Sequence, residues 1–106
     1  MRDSDVALRA LAHPARRQAL EALVREERTS GSLAAECGWT KPAASQHLKV
    51  LRNAGLVDVR ADGNRRLYRA RRDGLAELRA FLDGAFLDEF WTVRLAVLED
   101  EIRSSQ

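Results

Sequence analysis

The sequence predicts a mainly α-helical fold with one β-hairpin, in the order α-α-α-α-β-β-α. Three observations support this prediction. Apolar residues recur at helical spacing through most of the chain, and residues favoured at helix starts and ends separate these stretches. Between about residues 56 and 71 the pattern changes to alternation around Asp62-Gly63-Asn64, which is typical of a hairpin. Helical spacing resumes at Asp73-Gly74 and continues to about residue 103.

The first part of the chain contains signals for three short helices. One helix is predicted before His13, and Pro14 suits the first turn of the next, where its missing N–H costs nothing. The apolar stripe of this second helix is Leu20, Leu23 and Val24. We expect Ser30 or Ser32 to start a third helix and Gly38 to end it.

The fourth helix has the clearest boundaries. Thr40 is a good N-cap, Pro42 is tolerated in the first turn, and Gly55 suits the position just after the end. Its apolar stripe is Ala44, Leu48 and Leu51. A short helix, a glycine-containing turn and a second helix with a polar outer face form a helix-turn-helix, here over about residues 32–54.

The hairpin that follows is a wing, over about residues 56–71. Its strands carry arginines, and alternation separates two sides of the first strand: Leu56, Asp58 and Arg60 on one, Val57, Val59 and Ala61 on the other. A last helix over about 73–103 is predicted to be interrupted near Gly84. These parts together predict one winged helix-turn-helix domain over residues 1–106.

The charge of the chain is concentrated in one block. The net charge is +2 at neutral pH, but residues 41–72 hold nine basic and two acidic residues, a net +7. The remainder holds nine basic and fourteen acidic residues, a net −5. A basic block in an otherwise acidic chain favours a surface that faces a polyanion.

Several classes of protein fit the sequence poorly. Cys37 is the single cysteine, so no intramolecular disulfide is expected, in keeping with a reducing cytosol. The longest apolar run, residues 95–98, is far too short to span a membrane, and no signal peptide is indicated. No glycine-rich phosphate loop, H-E-x-x-H motif or recognisable catalytic triad is present, so we predict neither an enzyme nor a cofactor.

The helix-turn-helix predicts contacts with double-stranded DNA. The major groove admits one helix, and short hydrogen-bonding side chains in its first half read base edges. The candidates on the fourth helix are Lys41, Pro42, Ser45, Gln46 and His47. The candidates for phosphate contacts are Lys49, Arg52 and Arg69, with Arg65 and Arg66 at the wing tip for phosphates or a narrow minor groove. For His47, a structural role inside the motif is an equal alternative.

At this point the sequence resembles a known family. The stretches HPARRQALEAL, LAAECGWTKPAASQHLKVLRNAGLV and DGNRRLYRA resemble the ArsR/SmtB winged-helix repressors over most of residues 5–72. The tail GLAELRAFLDGAFLDEFWTVRLAVLEDE is similar to a small non-metal-sensing subgroup. The resemblance implies a cytoplasmic, nucleoid-associated homodimer, joined through the first and last helices, that binds a palindromic operator and represses transcription. The residues expected at the dimer interface are Leu8, Leu11, Phe90, Trp91, Leu95 and Leu98, and a ligand pocket lined by the last four is the alternative.

The sequence differs from the metal sensors of this family in two respects, and two alternative functions stay open. Metal sensors of the family carry a Cys-x-Cys pair before the turn, whereas this chain has Cys37 alone and no histidine after His47. We therefore predict no metal site, and leave the small-molecule effector unidentified. A metal- or thiol-responsive sensor stays one alternative. The other is a winged helix that docks an acidic protein instead of DNA.

Overall fold

A computed structural model describes the backbone of residues 3–104 and their side chains, except those of residues 89–95 and 104. The elements are α1 (Asp3–Leu11), α2 (Pro14–Arg25), α3 (Ser30–Cys37), α4 (Lys41–Asn53), β1 (Val57–Asp62), β2 (Arg65–Ala70), α5 (Arg72–Leu82), a π-helical turn (Asp83–Leu87) and α6 (Asp88–Ser104). The predicted order of four helices, a hairpin and a helical tail is therefore confirmed. The interruption expected near Gly84 is the π-helical turn, which divides the predicted last helix into α5 and α6.

The chain divides after Leu75 into two compact units. The first holds α1 to α4, the hairpin and the start of α5, and the second holds the rest of α5, the π-helical turn and α6. That residues 1–106 form a single domain stays a prediction. None of the described helices is both long and apolar enough to cross a membrane.

Side-chain caps fix the starts of α3 and α4. Thr40 caps α4 as predicted, because its Oγ1 accepts a hydrogen bond from the Ala43 N–H at 3.2 Å. Thr29 caps α3 in the same way, at 3.1 Å from the Ser32 N–H. The helix begins at Ser30, one of the two starts expected, but its cap is Thr29 and not a serine, because both serines lie inside the helix.

The core of the first unit lies beneath α4. Ala44, Leu48 and Leu51 are all buried, which confirms the predicted stripe. Val24 of the predicted α2 stripe is instead 61% exposed. The buried face of α2 is formed by Ala19, Leu20, Ala22 and Leu23. Each residue turns a helix by roughly 100°, so the position after Leu23 already points away from this face.

The two strands form an antiparallel hairpin in which Asp62 pairs with Arg65 and Val57 with Ala70. Gly63, in the two-residue turn, has a φ of +62°, which glycine adopts without strain. A further backbone bridge ties the hairpin to the segment after α2. The Arg28 N–H donates to the Tyr68 carbonyl at 3.0 Å, and the Tyr68 N–H donates to the Arg28 carbonyl at 2.7 Å. The wing is therefore attached to the helical body along β2 as well as at its base.

The base of the wing is closely packed against the end of α4. Gly55 ends that helix with a φ of +75°, as predicted, and the Arg71 N–H donates to the Leu56 carbonyl at 2.8 Å. A Cβ at Gly74 would overlap the Gly55 carbonyl oxygen. Only glycine at position 74 therefore lets α5 begin this close to the end of α4.

Candidate nucleic-acid interface

The fourth helix presents two different faces. Its apolar face contacts α1, α2, α3 and β1 and supplies Leu48 and Leu51, two of the largest fully buried side chains. The opposite face is exposed and carries hydrogen-bonding and cationic side chains. These side chains belong to Lys41, Ser45, Gln46, Lys49 and Arg52, and Pro42 is exposed beside them. The helix is therefore held by its core side while its outer side is open to a ligand.

The turn between α3 and α4 sets the position of this helix. Gly38 takes the left-handed conformation at φ +72°, and its N–H donates to the Ala34 carbonyl. The Trp39 N–H donates to the same carbonyl at 2.9 Å, so the chain reverses within one turn after α3. Left-handed backbone favours glycine because it has no Cβ. The CGWT stretch thus forms the tight turn that a helix-turn-helix needs.

Cations on α4 have no acidic partners in the described part of the chain. Lys41, Lys49 and Arg52 make no ion pair with any residue whose side chain the structure describes. The first turn of α4 also lacks an acidic residue, so the positive end of the helix dipole adds to the charge of Lys41. This surface can therefore attract an anionic backbone with its full charge.

Unlike the cations of α4, two arginines near the tip and on the second strand of the wing have acidic partners. Arg65 Nη2 lies 2.8 Å from Asp62 Oδ2, directly across the turn. Arg69 Nη2 lies 3.5 Å from Asp58 Oδ2 on the opposing strand position. Arg66 is exposed and makes no ion pair within the described side chains. Successive residues of a strand point to opposite faces, so Arg65 and Arg66 project from different sides of the hairpin.

His47 is placed unlike the other candidates. Its ring is half-buried and lies against the rings of His13, at 4.9 Å between centroids, and Trp39, at 4.8 Å. Its Nδ1 is buried without a hydrogen-bond partner among the described residues. Burial, with additional effects from His13 and Arg16, lowers the pKa of His47 below its ordinary 6.5. This geometry favours the structural alternative, in which a neutral imidazole packs the inner side of the motif.

The candidates for the dimer interface are only partly visible. Leu8 is 38% exposed, Leu11 is half-buried and Leu98 is 50% exposed. The side chains of Phe90, Trp91 and Leu95 lie outside the described residues. Other exposed apolar side chains of the second unit are Phe86, Leu87, Val97 and Ile102. Apolar surface of this kind is typical of an interface, and the assignment of these residues to a dimer interface stays a prediction.

The one thiol is not set up as a reactive group. Cys37 is half-buried at the end of α3, and burial, with a further effect from Glu36, raises the pKa of its thiol. A raised pKa leaves less of the nucleophilic thiolate at neutral pH. Among the described residues no three His, Cys, Asp or Glu side chains are grouped closely enough to hold a metal ion.

Three residues that organise this surface were not predicted from the sequence. His13 caps α2 through its Nδ1, which accepts from the Ala15 N–H at 3.1 Å. Glu27 contacts Arg60 of the wing, and Arg28 bridges to Tyr68. Histidine is an uncommon cap, and the other contacts join residues 33 and 40 positions apart in the chain. Local patterns contain no signal for such contacts.

Fold and surface together define a DNA-binding protein of the winged helix-turn-helix class. The chain belongs to the arsR family of bacterial regulatory proteins, whose model matches residues 13–59. It is 44% identical over 91 residues, 86% of this chain and 80% of the relative, to the HTH-type transcriptional regulator Rv2034 of Mycobacterium tuberculosis.

Solved structures agree with this assignment. One, described as a possible transcriptional regulator for arsenical resistance, is 40% identical with a TM-score of 0.71, over 91% of this chain and 97% of that one. Another is the homodimeric winged helix-turn-helix DNA-binding domain of Mb0332 from Mycobacterium bovis, a possible ArsR-family regulator. It is 31% identical with a TM-score of 0.67, over 78% of this chain and 77% of that one. The family confirms the resemblance read from the sequence and identifies a DNA-binding transcriptional regulator.

Proposed function

We propose that this chain is a homodimeric, sequence-specific repressor in which each protomer inserts α4 into one major groove of a palindromic operator. The observation that supports this most directly is the two-sided character of α4. Its buried stripe fixes the helix, while Lys41, Ser45, Gln46 and their exposed neighbours face outward without acidic partners in the described structure. A helix held in this way can be docked as a rigid body.

Within this proposal the residues of α4 divide into two roles. Ser45 and Gln46 lie in the first half of the helix, where side chains reach base edges; Gln pairs well with adenine and Ser with several bases. Lys41 pairs well with guanine from the first turn. Lys49 and Arg52 lie further along and fix the register through phosphates, which carry no sequence information.

Dimerisation supplies the second half-site. The homodimeric Mycobacterium bovis domain supports a homodimer, and the exposed apolar residues Leu8 and Leu98 support an interface on the first and last helices. Two-fold symmetry of the protein predicts two similar half-sites. Their centres should lie roughly 34–36 Å apart, one turn of DNA or about 10 bp, or a near multiple.

The proposal also covers how the protein represses transcription, where it acts and whether it senses a metal. A dimer seated on an operator within a promoter excludes the polymerase, which needs no catalytic group in the regulator. We propose that the protein acts in the cytoplasm at the nucleoid, because its proposed partner is chromosomal DNA. We assign it to the subgroup without metal sensing, supported by a lone, partly buried thiol with a raised pKa.

The test is a selection from randomised duplex DNA at about 150 mM salt, where non-specific phosphate binding is weakened. We expect a palindrome with two similar half-sites, bound by two protomers. Recovery of no motif would contradict sequence-specific binding and favour the protein-docking alternative, for which capture on an acidic protein surface is the next assay. Zinc or arsenite added to the operator complex should leave its affinity unchanged, and release of DNA would instead show a metal sensor.

A further inference from the structure

We infer that Glu27 is a positioning residue that holds Arg60 and Arg69 of the wing away from DNA, so that phosphate contact by the wing is limited to its tip. This inference rests on the proposed function, because it divides the DNA contacts of the same surface. It concerns a residue outside both the helix-turn-helix and the hairpin. It also removes Arg69 from the set of direct phosphate contacts expected from sequence.

Glu27 lies between two arginines that belong to different strands. Its Oε2 accepts from Arg60 Nε at 2.8 Å and lies 2.8 Å from Arg60 Nη2. Its Oε1 lies 3.9 Å from Arg69 Nη1. Asp58 completes the group at 3.5 Å from Arg69 Nη2. Two carboxylates and two guanidinium groups therefore form a cluster with no net charge on one face of the wing.

The backbone keeps Glu27 in this position. Arg28, the next residue, exchanges two backbone hydrogen bonds with Tyr68 of β2. Tyr68 is itself the neighbour of Arg69, so the carboxylate of Glu27 is held beside the strand it neutralises. The side chain of Glu27 is 33% exposed, less than those of Arg60 and Arg69. Because the adjacent backbone is bonded to β2, the Glu27 carboxylate stays close to Arg60 and Arg69 when a phosphate approaches.

Electrostatics make the consequence measurable. An arginine contributes to salt-dependent binding when it replaces condensed counterions on DNA. If Arg60 turned towards a phosphate, Glu27 would remain within a few ångströms and repel it. The neutral cluster therefore adds no net attraction for DNA, whereas Arg66 at the tip has no carboxylate to offset it among the described residues.

The experiment measures the affinity of full-length variants for a labelled random duplex and for the selected operator between 50 and 200 mM salt. Glu27→Gln should strengthen binding to both duplexes. The slope of log K against log salt should steepen by roughly 0.9 for each arginine that gains a phosphate. The gain per contact should then be roughly three- to fourfold larger at 50 mM than at 200 mM salt.

Glu26→Gln is the matched control, because it removes the same charge from the neighbouring position. Glu26 lies 2.9 Å from Arg28 Nε, and Arg28 keeps a second carboxylate, that of Glu36, at 2.5 Å. No wing arginine should therefore be released, and the salt slope should stay at its wild-type value. Arg60→Ala alone leaves the cluster with a net charge of −1 and should weaken binding, whereas Arg60→Ala combined with Glu27→Gln keeps the cluster neutral and should lose part of the gain that Glu27→Gln gives.

Each result has a definite meaning. Equal salt slopes for Glu27→Gln and Glu26→Gln would overturn the inference while leaving the proposed function intact. Weaker DNA binding by Glu27→Gln, with an unchanged melting temperature, would overturn it too, because the ion pair would then orient Arg60 towards DNA. Wild-type protein that binds neither duplex at 50 mM salt would overturn the proposed function and this inference together.

Discussion

The outer face of α4 and the wing hairpin carry similar numbers of cations but differ in what surrounds them. On α4, Lys41, Lys49 and Arg52 have no acidic partner in the described structure. On the wing, Arg60, Arg65 and Arg69 each lie within 3.5 Å of a carboxylate. The net +7 of residues 41–72 therefore overstates the positive potential of the wing, where Glu27 contributes from outside the block.

This difference teaches that charge along a sequence and charge on a surface are separate quantities. A basic block attracts DNA only through the cations that are not neutralised by the fold. Exposed ion pairs add little to folding, about 0–1 kcal/mol each, so their larger effect is on recognition. We therefore expect α4 to supply most of the affinity for DNA and the wing a smaller, local share.

The largest expected effect comes from a substitution in the core beneath α4, which would remove the packing that holds the outer face of this helix in place. Leu51→Ala truncates a fully buried side chain beneath α4 and should lower the free energy of unfolding by about 2–5 kcal/mol. Urea denaturation at fixed protein concentration measures this loss. Val24→Ala is the control, because that valine is mainly exposed and should change stability by less than about 0.5 kcal/mol. Equal losses for both variants would contradict the described core.

The next effect would distinguish residues of α4 that contact bases from residues that contact phosphates. Gln46→Ala should relax the preference at one base position, at a cost of about 1–3 kcal/mol for the preferred base. Binding to a panel of operators with single base changes measures this. Lys49→Ala should instead weaken all panel members by a similar factor. A uniform loss for Gln46→Ala would place that residue among the phosphate contacts.

A smaller effect is expected for two adjacent arginines of the wing, whose contributions to the salt dependence of DNA binding should differ. Arg66→Ala should flatten the salt slope by roughly 0.9, the value for one lost phosphate contact. Arg65→Ala should flatten it less, because Asp62 already neutralises that guanidinium. The double variant should weaken binding to every sequence alike. Equal slopes for the two single variants would show that the Asp62 ion pair opens on DNA.

The smallest effect concerns His47, the inward-facing member of α4. Its pKa is lowered chiefly by burial, so the unfolded chain binds its proton more readily than the folded one. The stabilising contribution of neutral His47 is present above pH 6.5 and is lost as the pH falls through the lower folded-state pKa. Thermal unfolding between pH 7.5 and 5 should show this loss, and His47→Gln should reduce it. Stronger operator binding in acid that depends on His47 would instead indicate a direct phosphate contact.

Sequence patterns sufficed wherever a local signal decides the structure. Thr40 lies at the start of α4 and Gly55 just after its end, as predicted, and Gly63 lies in the turn of the hairpin. Fold class, motif and wing could thus be predicted from residues that act on their immediate neighbours.

Other features depend on the packed structure and could not be predicted. Thr29, Ser30 and Ser32 compete as caps of α3, and only the path of the chain selects Thr29. His47 is half-buried because His13, 34 positions earlier, lies beside it in the fold. The Glu27 contact depends likewise on the hairpin lying against the segment after α2. The sequence showed which cations exist, while the fold decides which of them are neutralised.

The Arg28–Tyr68 bridge bears on how an operator would be chosen at positions that no side chain touches. Because β2 is hydrogen-bonded to the helical body, we expect the separation between the wing tip and α4 to change little when DNA binds. A duplex whose groove width does not match that separation would then have to bend or narrow to meet both elements. The energy of that deformation depends on the base steps involved. We therefore expect stiffness and groove width between the contacted bases to contribute to operator preference, as a form of indirect readout.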